Sequence, residues 1–391
     1  MSLRTRLEES WGLLDMKYKT YRLGDVVNIF DKKRVPLSSM QRAERQGKYR
    51  YFGAQGVIDY VDDYIFEGIY LLIAEDGENL KSKKQNVAQI VSGKFWVNNH
   101  AHILQAKEEH NIYYLGYLIN SIDLSGYITG SAQPKLSQTN LNAIALELPD
   151  KRTQDKIASV LQAFDNKIDL NNEINNNLLE QAQSIFTQEF LMFDHIPDGW
   201  QESSLLGIAD YLNGLAMQKY RPKDDEQGLP VLKIKELRQG SCDFNSELCS
   251  PSIKPEYIVH DGDVIFSWSG SLLVDLWCGG TCGLNQHLFK VTSSTYDKWF
   301  YYAWTNHHLQ KFAAIAADMA TTMGHIKREE LSKAEVLIPS HSDYDRIGGL
   351  LAPLYELVIS NRIENRKLAS LRDELLPQLM SGQLDVSEVS V

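Results

Sequence analysis

Residues 131–178 read SAQPKLSQTNLNAIALELPDKRTQDKIASVLQAFDNKIDLNNEINNNL, and residues 321–368 read TTMGHIKREELSKAEVLIPSHSDYDRIGGLLAPLYELVISNRIENRKL. Set 190 residues apart, the two stretches align without a gap. Leu136 falls on Ile326, Leu141 on Leu331, Leu146 on Val336, Leu148 on Ile338 and Pro149 on Pro339. Further on, Ile157 falls on Ile347, Leu161 on Leu351, Phe164 on Leu354, Ile168 on Val358, Asn171 on Asn361, Asn175 on Asn365 and Leu178 on Leu368. A chain that repeats itself is read first as copies of one unit, because the unit dictates the fold.

Ile157, Leu161, Phe164 and Ile168 step by four, three and four, and Leu178 and Ile185 continue the series. This is a heptad seam, which predicts a long helix over 153–188. Its copy, over about 343–376, carries Ile347, Leu351, Leu354, Val358 and Leu368, and Pro353 inside it is expected to kink or restart the helix. Asn171 and Asn361 stand at seam positions, with Asn175 and Asn365 one turn on. Asparagine is a mediocre helix former, so packing must hold these helices together. A buried asparagine in a seam costs stability and fixes register and partner number. At about 1.5 Å per residue each helix is a rod of roughly 50 Å. Two such rods can pair antiparallel about a pseudo-twofold axis and keep two globular parts a fixed distance apart.

Upstream the repeat continues with small shifts. Asn98-Asn99-His100-Ala101-His102-Ile103 resembles Asn285-Gln286-His287-Leu288-Phe289-Lys290, and Tyr64–Gly68 resembles the stretch from Tyr257 to Gly262. Leu23-Gly24-Asp25 resembles Leu206-Gly207-Ile208. Short apolar runs bounded by Gly, Asp and Asn (Ile69–Ile73, His102–Gln105, Val264–Trp268, His287–Val291) read as strands. Tyr113–Asn120 and Trp299–His307 read as helices whose aromatic residues pack a core. The expected fold class is α+β: two repeated α/β domains, each followed by a long helix. The expected boundaries are 1–150, 151–199 for the first helix, 200–340, and 341–391 for the second helix and tail.

The 391 residues carry a net charge of −11, which at first opposes nucleic-acid binding. The distribution qualifies the total, because residues 1–150 hold eighteen basic and eighteen acidic side chains. Within residues 32–50 there are seven bases against the single acid Glu44. Local patches, not global charge, neutralise phosphates. No apolar run approaches the ~18 residues of a membrane helix, and the absence of a signal-peptide pattern makes the cytoplasm the expected location. Cys242, Cys249, Cys278 and Cys282 lack the tight spacing of zinc knuckles and read as reduced, partly buried thiols; no metal site is expected. Neither a glycine-rich cofactor turn, a phosphate-binding loop, an HExxH helix nor a nucleophile elbow is present. An Asn/Asp-Pro-Pro-aromatic methylation loop is missing as well, so no catalytic residue is expected. The histidines of Asn98-Asn99-His100 and Asn285-Gln286-His287 read as hydrogen-bonded structural residues.

Gly130-Ser131-Ala132-Gln133-Pro134-Lys135-Leu136-Ser137, followed by Leu146-Glu147-Leu148-Pro149 and by Gln154-Asp155-Lys156-Ile157-Ala158-Ser159-Val160-Leu161, resembles the junction between recognition domain and spacer helix in Type I restriction–modification specificity subunits. The ending Leu375-Leu376-Pro377-Gln378-Leu379-Met380-Ser381-Gly382-Gln383-Leu384 resembles that family's carboxyl end. The likeness spans the whole chain in order, duplication and spacing. It implies a non-catalytic subunit whose two target-recognition domains each read half of a split double-stranded DNA target. It further implies that the helices set the unread gap and dock two methyltransferase subunits. Those partners would bind S-adenosylmethionine, and restriction subunits would bring ATP and Mg; this chain would bind no cofactor. Two other readings fit the same residues: a recognition subunit in a system whose partner combines methylation and cleavage, and a coiled-coil scaffold that binds protein alone.

Phosphate contacts position such a protein and base-edge contacts specify its target. The candidates for DNA contact are Lys32, Lys33, Arg34, Arg42, Arg45, Lys48, Arg50, Lys81, Lys83 and Lys84 in the first copy. In the second they are Lys219, Arg221, Lys223, Lys233, Lys235 and Arg238. Ser131, Gln133 and Lys135 join them through the resemblance and the flexible backbone of their loop. Met323-Gly324-His325 replaces Gln133-Pro134-Lys135 in the second copy, which puts a shared basic role for Lys135 in doubt.

Overall fold

A computed structural model describes residues 18–82, 85–130, 133–318 and 326–389. The chain divides into two compact units, one running to Asn166 and resuming at Ala369, the other Lys167–Leu368. Each unit therefore contains one globular domain and a part of each long helix.

The first domain is closed at its base by Lys19–Arg22 pairing antiparallel with Ala145–Leu148. Above it stands a six-stranded sheet, in the order Val27–Ile29, Ala101–Ala106, Phe66–Ala74, Ala88–Val97, Gln46–Gly53, Gly56–Val61. Only Gln46–Gly53 and Ala88–Val97 run parallel. Within the apolar run 69–73, Ile69 is exposed, while Tyr70–Ile73 lie inside the sheet with both faces covered, as a continuous apolar strand requires. Leu71 and Ile73 pack with Leu104 and with Tyr114 and Leu115 of the helix Ile112–Ser121, while Tyr70 and Leu72 pack with Phe66, Phe95 and Ile103.

One polar cluster is buried in this domain. His102, only 1% exposed, has Nδ1 2.6 Å from Asp31 Oδ2 and Nε2 2.8 Å from the Leu136 carbonyl oxygen. Arg34 donates to Glu75 at 2.7 Å and to the carbonyls of Asp31 and Ala101 at 3.0 and 2.9 Å, and Lys135 Nζ lies 3.3 Å from Glu75. Burial alone would raise the Asp31 carboxyl, but His102, the Ile103 amide and Arg34 together hold it below its ordinary value. Glu75 is likewise held low against burial, by Arg34, His102 and Lys135.

The second domain repeats the plan with two interruptions. Gln201–Ser204 pairs antiparallel with Glu335–Ile338 in the same register relation as the first base pair of strands. One sheet runs Asp210–Asn213, Leu288–Thr292, Val264–Ser267, Leu273–Leu276; a second runs Leu248–Cys249, Leu229–Leu232, Cys282–Leu284, Ile258–Val259. Superposing the ladders shows why two sheets replace one. The counterpart of Phe66–Ala74 is broken at 260–263, and that of Ala88–Val97 is broken at 277–281. Gly262 (φ 85°) and Gly280 (φ 91°) turn the chain there, in the left-handed region that favours glycine. The buried charges of the first domain also have neutral counterparts. Asn213, Trp268 and Phe289 occupy the ladder positions of Asp31, Glu75 and His102. Trp268 Nε1 donates to Asn213 Oδ1 at 3.0 Å and its ring lies 5.7 Å from that of Phe289. Both copies share one backbone closure, Leu136 N to Glu75 O at 2.8 Å and Ile326 N to Trp268 O at 2.9 Å.

Helices Lys151–Phe190 and His341–Met380 each run 40 residues. The second stays continuous through Pro353 and does not restart there. Pro353 is exposed, and so is Gly349, whose carbonyl the proline leaves without its helical donor, so water can satisfy it. The ends of the seam sink into the domain cores. Ile157 and Leu161 are buried with Leu146, Leu148 and Leu379, and Ile347 and Leu351 with Phe186, Phe190 and Trp299.

In Lys167–Leu368 the two helices meet antiparallel through asparagine. Asn171 Nδ2 donates to Asn365 Oδ1 at 2.8 Å and Glu364 Oε2 at 2.7 Å, and Asn361 Nδ2 donates to Asn175 Oδ1 at 2.9 Å. Each contact thus joins one residue to the repeat mate of the other, the self-complementary pattern of a twofold interface. Asn365 Nδ2 also donates to Asn172 Oδ1 at 2.9 Å, whereas the equivalent amide, Asn175 Nδ2, is buried without a hydrogen-bond partner.

Asn171→Ala strands Asn365 Oδ1 and is expected to cost about 2 kcal/mol in urea unfolding; Asn175→Ala, which also removes an unsatisfied donor, is expected to cost less. Equal destabilisation by the two would contradict the asymmetry of the ladder. In the first domain, Arg34→Ala leaves Asp31 to His102 and Glu75 to Lys135, and is expected to cost about 2 kcal/mol. Because the folded carboxyls of Asp31 and Glu75 lie below their ordinary values, their contribution is complete above about pH 4–5 and is lost as pH falls through the lower folded values. Thermal melts across pH 2–6 should show that slope, and a paired Asp31→Asn and Glu75→Gln variant should flatten it.

Candidate nucleic-acid interface

The basic segment 32–50 folds as a short 3-10 turn (Asp31–Lys33), a helix (Ser39–Glu44) and the strand Gln46–Gly53. Ser38 caps the helix by accepting from the Gln41 amide while Gln41 Oε1 accepts from the Ser38 amide, a reciprocal capping box. The segment is held down by its own arginines. Arg34 is committed to the buried cluster, Arg42 donates to Asp59 at 2.8 Å, and Arg45 lies 2.8 Å from Asp62. Arg42 and Arg45 also cover the rings of Tyr51 and Trp96. Arg50 donates to the Ser92 carbonyl and covers Phe52. Lys32, Lys33 and Lys48 remain exposed without an ion pair among the described residues.

The glycine–serine loop is a tight closure. Thr129 and Lys135 exchange backbone hydrogen bonds at 2.8 Å each way, and Gly130 (φ 83°) admits no side chain, since a Cβ there would meet the Gln133 carbonyl oxygen at 2.2 Å. Lys81 Nζ donates to the Gly130 carbonyl at 3.0 Å. Gln133 is exposed, and Lys135 leans on Glu75. Ser131, Lys83 and Lys84, like the 323–325 counterpart, lie outside the described residues.

In the second domain Arg221 and Lys233 share Glu247 at 3.1 and 2.6 Å, and Lys235 reaches Asp243 at 3.2 Å. Lys219 and Arg238 are exposed and form no ion pair among the described residues. Lys233, Lys235 and Arg238 come together on one short helical turn, Ile234–Gln239, which the strand Leu229–Leu232 feeds. The structure thus groups the candidates by copy and spends several of them on acids within the fold. Sequence reasoning counted charges and missed this pairing, because the acidic partners Asp59, Asp62, Glu75, Asp243 and Glu247 are distant in sequence from their bases, Glu75 by forty-one residues from Arg34 and by sixty from Lys135.

Sequence reasoning also passed over Asp31, Glu75 and His102. They are the grouping among the described residues whose ligand atoms all lie within 4.8 Å of one another. Arg34 and Lys135 supply positive charge at that point, so the cluster is an ion-pair network inside the fold. His100 Nδ1 hydrogen-bonds Asp76 at 2.8 Å and His287 Nδ1 faces Ser269 Oγ at 3.2 Å, equivalent ladder positions in the two copies. All four cysteines are free; three are buried and Cys242 is half-buried. No helix is long and apolar enough to cross a membrane among the described residues.

Comparison with known proteins gives this architecture a family. The Type I restriction modification DNA specificity domain matches the chain twice, over residues 16–180 and 197–371. The Type I restriction enzyme MjaIX specificity subunit of Methanocaldococcus jannaschii is 26% identical over 304 residues, covering 71% of this chain and 70% of that protein. A putative Type I restriction enzyme specificity subunit of Haemophilus influenzae, S.HindORF215P, is 33% identical over 161 residues, which is 41% of this chain and 40% of the relative. In fold, the chain is similar to the crystal structure of a Type I restriction-modification system S subunit from M. genitalium, with a TM-score of 0.59 at 11% identity, over 93% of this chain and 96% of the other. Two domain matches that together span most of the residues, on a duplicated domain-and-helix fold, place the chain in the Type I restriction–modification specificity family, as a specificity subunit rather than one of the catalytic chains.

Proposed function

We propose that this specificity subunit reads a two-part double-stranded DNA target, one half by each globular domain, with an unread gap between. The observation that carries this reading is the duplicated domain-and-helix unit together with two asparagine contacts, Asn171 to Asn365 and Asn361 to Asn175, that the repeat exchanges with one another. A pseudo-symmetric reader suits a target with two half-sites, and half-sites about one turn apart lie roughly 34 Å from each other. In this reading the long helices set the gap and dock two methyltransferase subunits. Those partners bind S-adenosylmethionine and methylate adenine, and restriction subunits using ATP and Mg join them in the cytoplasm. This chain supplies recognition and no cofactor site.

In this reading DNA contact falls to the bases that are not neutralised within the fold. Lys32, Lys33 and Lys48 in the first domain, and Lys219 and Arg238 in the second, are the candidates whose charge is available to phosphate. With the chain at −11 overall, much of the positive surface of the assembled enzyme would come from the partners.

Methylation mapping after co-expression with the methyltransferase of its own system, with and without this chain, tests the reading. A split motif of methylated adenines that disappears without the chain supports it; no chain-dependent methylation from an assembled complex favours the protein-only scaffold. Matched heptad insertions, one between Asn171 and Leu178 and one at the facing turns of the second helix, should lengthen the gap. Seven residues add about 10 Å of helix, or about three base pairs at ~3.4 Å each. A fully active enzyme with an unchanged gap would remove the helices from gap setting. Replacing Lys32, Lys33 and Lys48 by Gln should lower the slope of log affinity against log salt by about one for each phosphate no longer neutralised, while Arg42→Gln should act mainly on stability.

A further inference from the structure

Two arginines on the second long helix tie the second domain to it. Arg366 meets Asp261 with both prongs, Nη1 to Oδ1 and Nη2 to Oδ2 at 2.7 Å each, and Nη1 also donates to the Cys278 carbonyl at 2.5 Å. One turn earlier, Arg362 Nη1 donates to Asp275 Oδ1 at 2.7 Å and to the Leu276 carbonyl at 3.1 Å. A two-pronged arginine–carboxylate contact fixes angle as well as distance, which a single contact does not.

The sheet is shaped around this contact. Asp261 and Cys278 lie in the two interruptions that separate the second domain from the unbroken sheet of the first. Gly280, in the later one, donates its amide to Asp261 Oδ1 at 2.8 Å, and a Cβ on it would stand 3.3 Å from Arg366 Nη1. The first copy has no equivalent: the repeat mates of Arg362 and Arg366 are Asn172 and Asn176.

The arginine at 362 also leaves a defect in the helix pair. Asn365 donates to Asn172, so by symmetry Asn175 should donate to the residue at 362. That residue turns instead to Asp275, and Asn175 Nδ2 is left buried and unpartnered. A contact that holds a domain at the expense of the helix pair is poorly explained by helix stability alone.

We infer that Arg362 and Arg366 are positioning residues that fix the angle of the second recognition domain on its helix, and thereby restrict the enzyme to one gap length. The inference rests on the split-target reading. Neither side chain needs to touch DNA. A domain free to rock on its helix would present its half-site contacts over a range of spacings, whereas a clamped one accepts a single spacing.

The test transplants the first copy's residues as Arg362→Asn with Arg366→Asn, in the complete complex with its methyltransferase. Methylation is compared on targets carrying the native gap and gaps one base pair longer or shorter, alongside thermal unfolding. A misplaced half-site costs about as much as a mismatched base pair or more, so wild type should discriminate against the altered gaps by about a hundredfold. The variant should keep the same bases but fall below about tenfold. Arg366→Lys, which retains charge and loses the two-pronged geometry, should shift in the same direction and decides the matter if the double variant does not fold. Wild-type gap discrimination in a folded variant overturns the inference and leaves the split-target reading intact. A wild-type complex that methylates no split target removes both.

Discussion

The buried asparagine contacts between the two long helices govern the architecture within Lys167–Leu368. An apolar seam would be satisfied by several registers, since leucine packs against leucine at any heptad offset. Amides are satisfied only where donor meets acceptor, and a slip of one turn would bury several of them unpaired at about 1–3 kcal/mol each. Asn171 on Asn365 and Asn361 on Asn175 therefore define one antiparallel register. Lys167 and Glu364 close one end of that polar stretch at 3.3 Å, and beyond the apolar segment that follows it Arg346 binds Glu189 at 2.8 Å. Leucine, isoleucine and phenylalanine then take over where the helices enter the domain cores.

Against this shared frame, the two domains attach to their helices by different chemistry. In the first, Tyr117 and Arg372 both bind Asp165, the arginine at 2.6 Å, so one carboxylate joins the domain helix to both long helices. In the second, the position of Asp165 is taken by Tyr355, whose ring packs 4.9 Å from Tyr302, and the arginines move to 362 and 366. The interiors diverge in parallel: a charged cluster of Asp31, Glu75, His102 and Arg34 in one copy, an aromatic contact of Trp268 and Phe289 in the other. The duplicated domains keep the same closure at their base and not the same interior. The base strands recur in both copies, as do backbone bonds at matching places: Leu136 to Glu75 and Ile326 to Trp268, Leu23 to Ile144 and Leu205 to Ala334.

The charge pattern shows how an acidic chain can serve DNA. Most arginines act inside the fold, where their planar fork binds carboxylates and stacks on tyrosine and tryptophan. Among the candidates for DNA contact, the exposed charge without an ion pair among the described residues is left mainly to lysines, point charges suited to phosphate rather than to a fixed geometry, with Arg238 beside them.

The duplication, the two long helices and the strands at 69–73, 264–268 and 287–291 were legible in the sequence, because periodicity and a constant offset are one-dimensional properties. Core residues such as Tyr114, Trp299 and Phe300 were legible for the same reason. Tertiary structure alone decided which bases are free. Arg34 and Lys48 look alike in the string, yet one is bound to Glu75, forty-one residues away, and the other faces solvent. It also decided that the helix passes through Pro353, since that depends on which face meets water. It likewise brought the interruptions at 260–263 and 277–281 against Arg366, about a hundred residues further along the chain. A sequence specifies what each residue offers; pairing between distant residues depends on where the chain brings them, and that is fixed only once the whole core has closed.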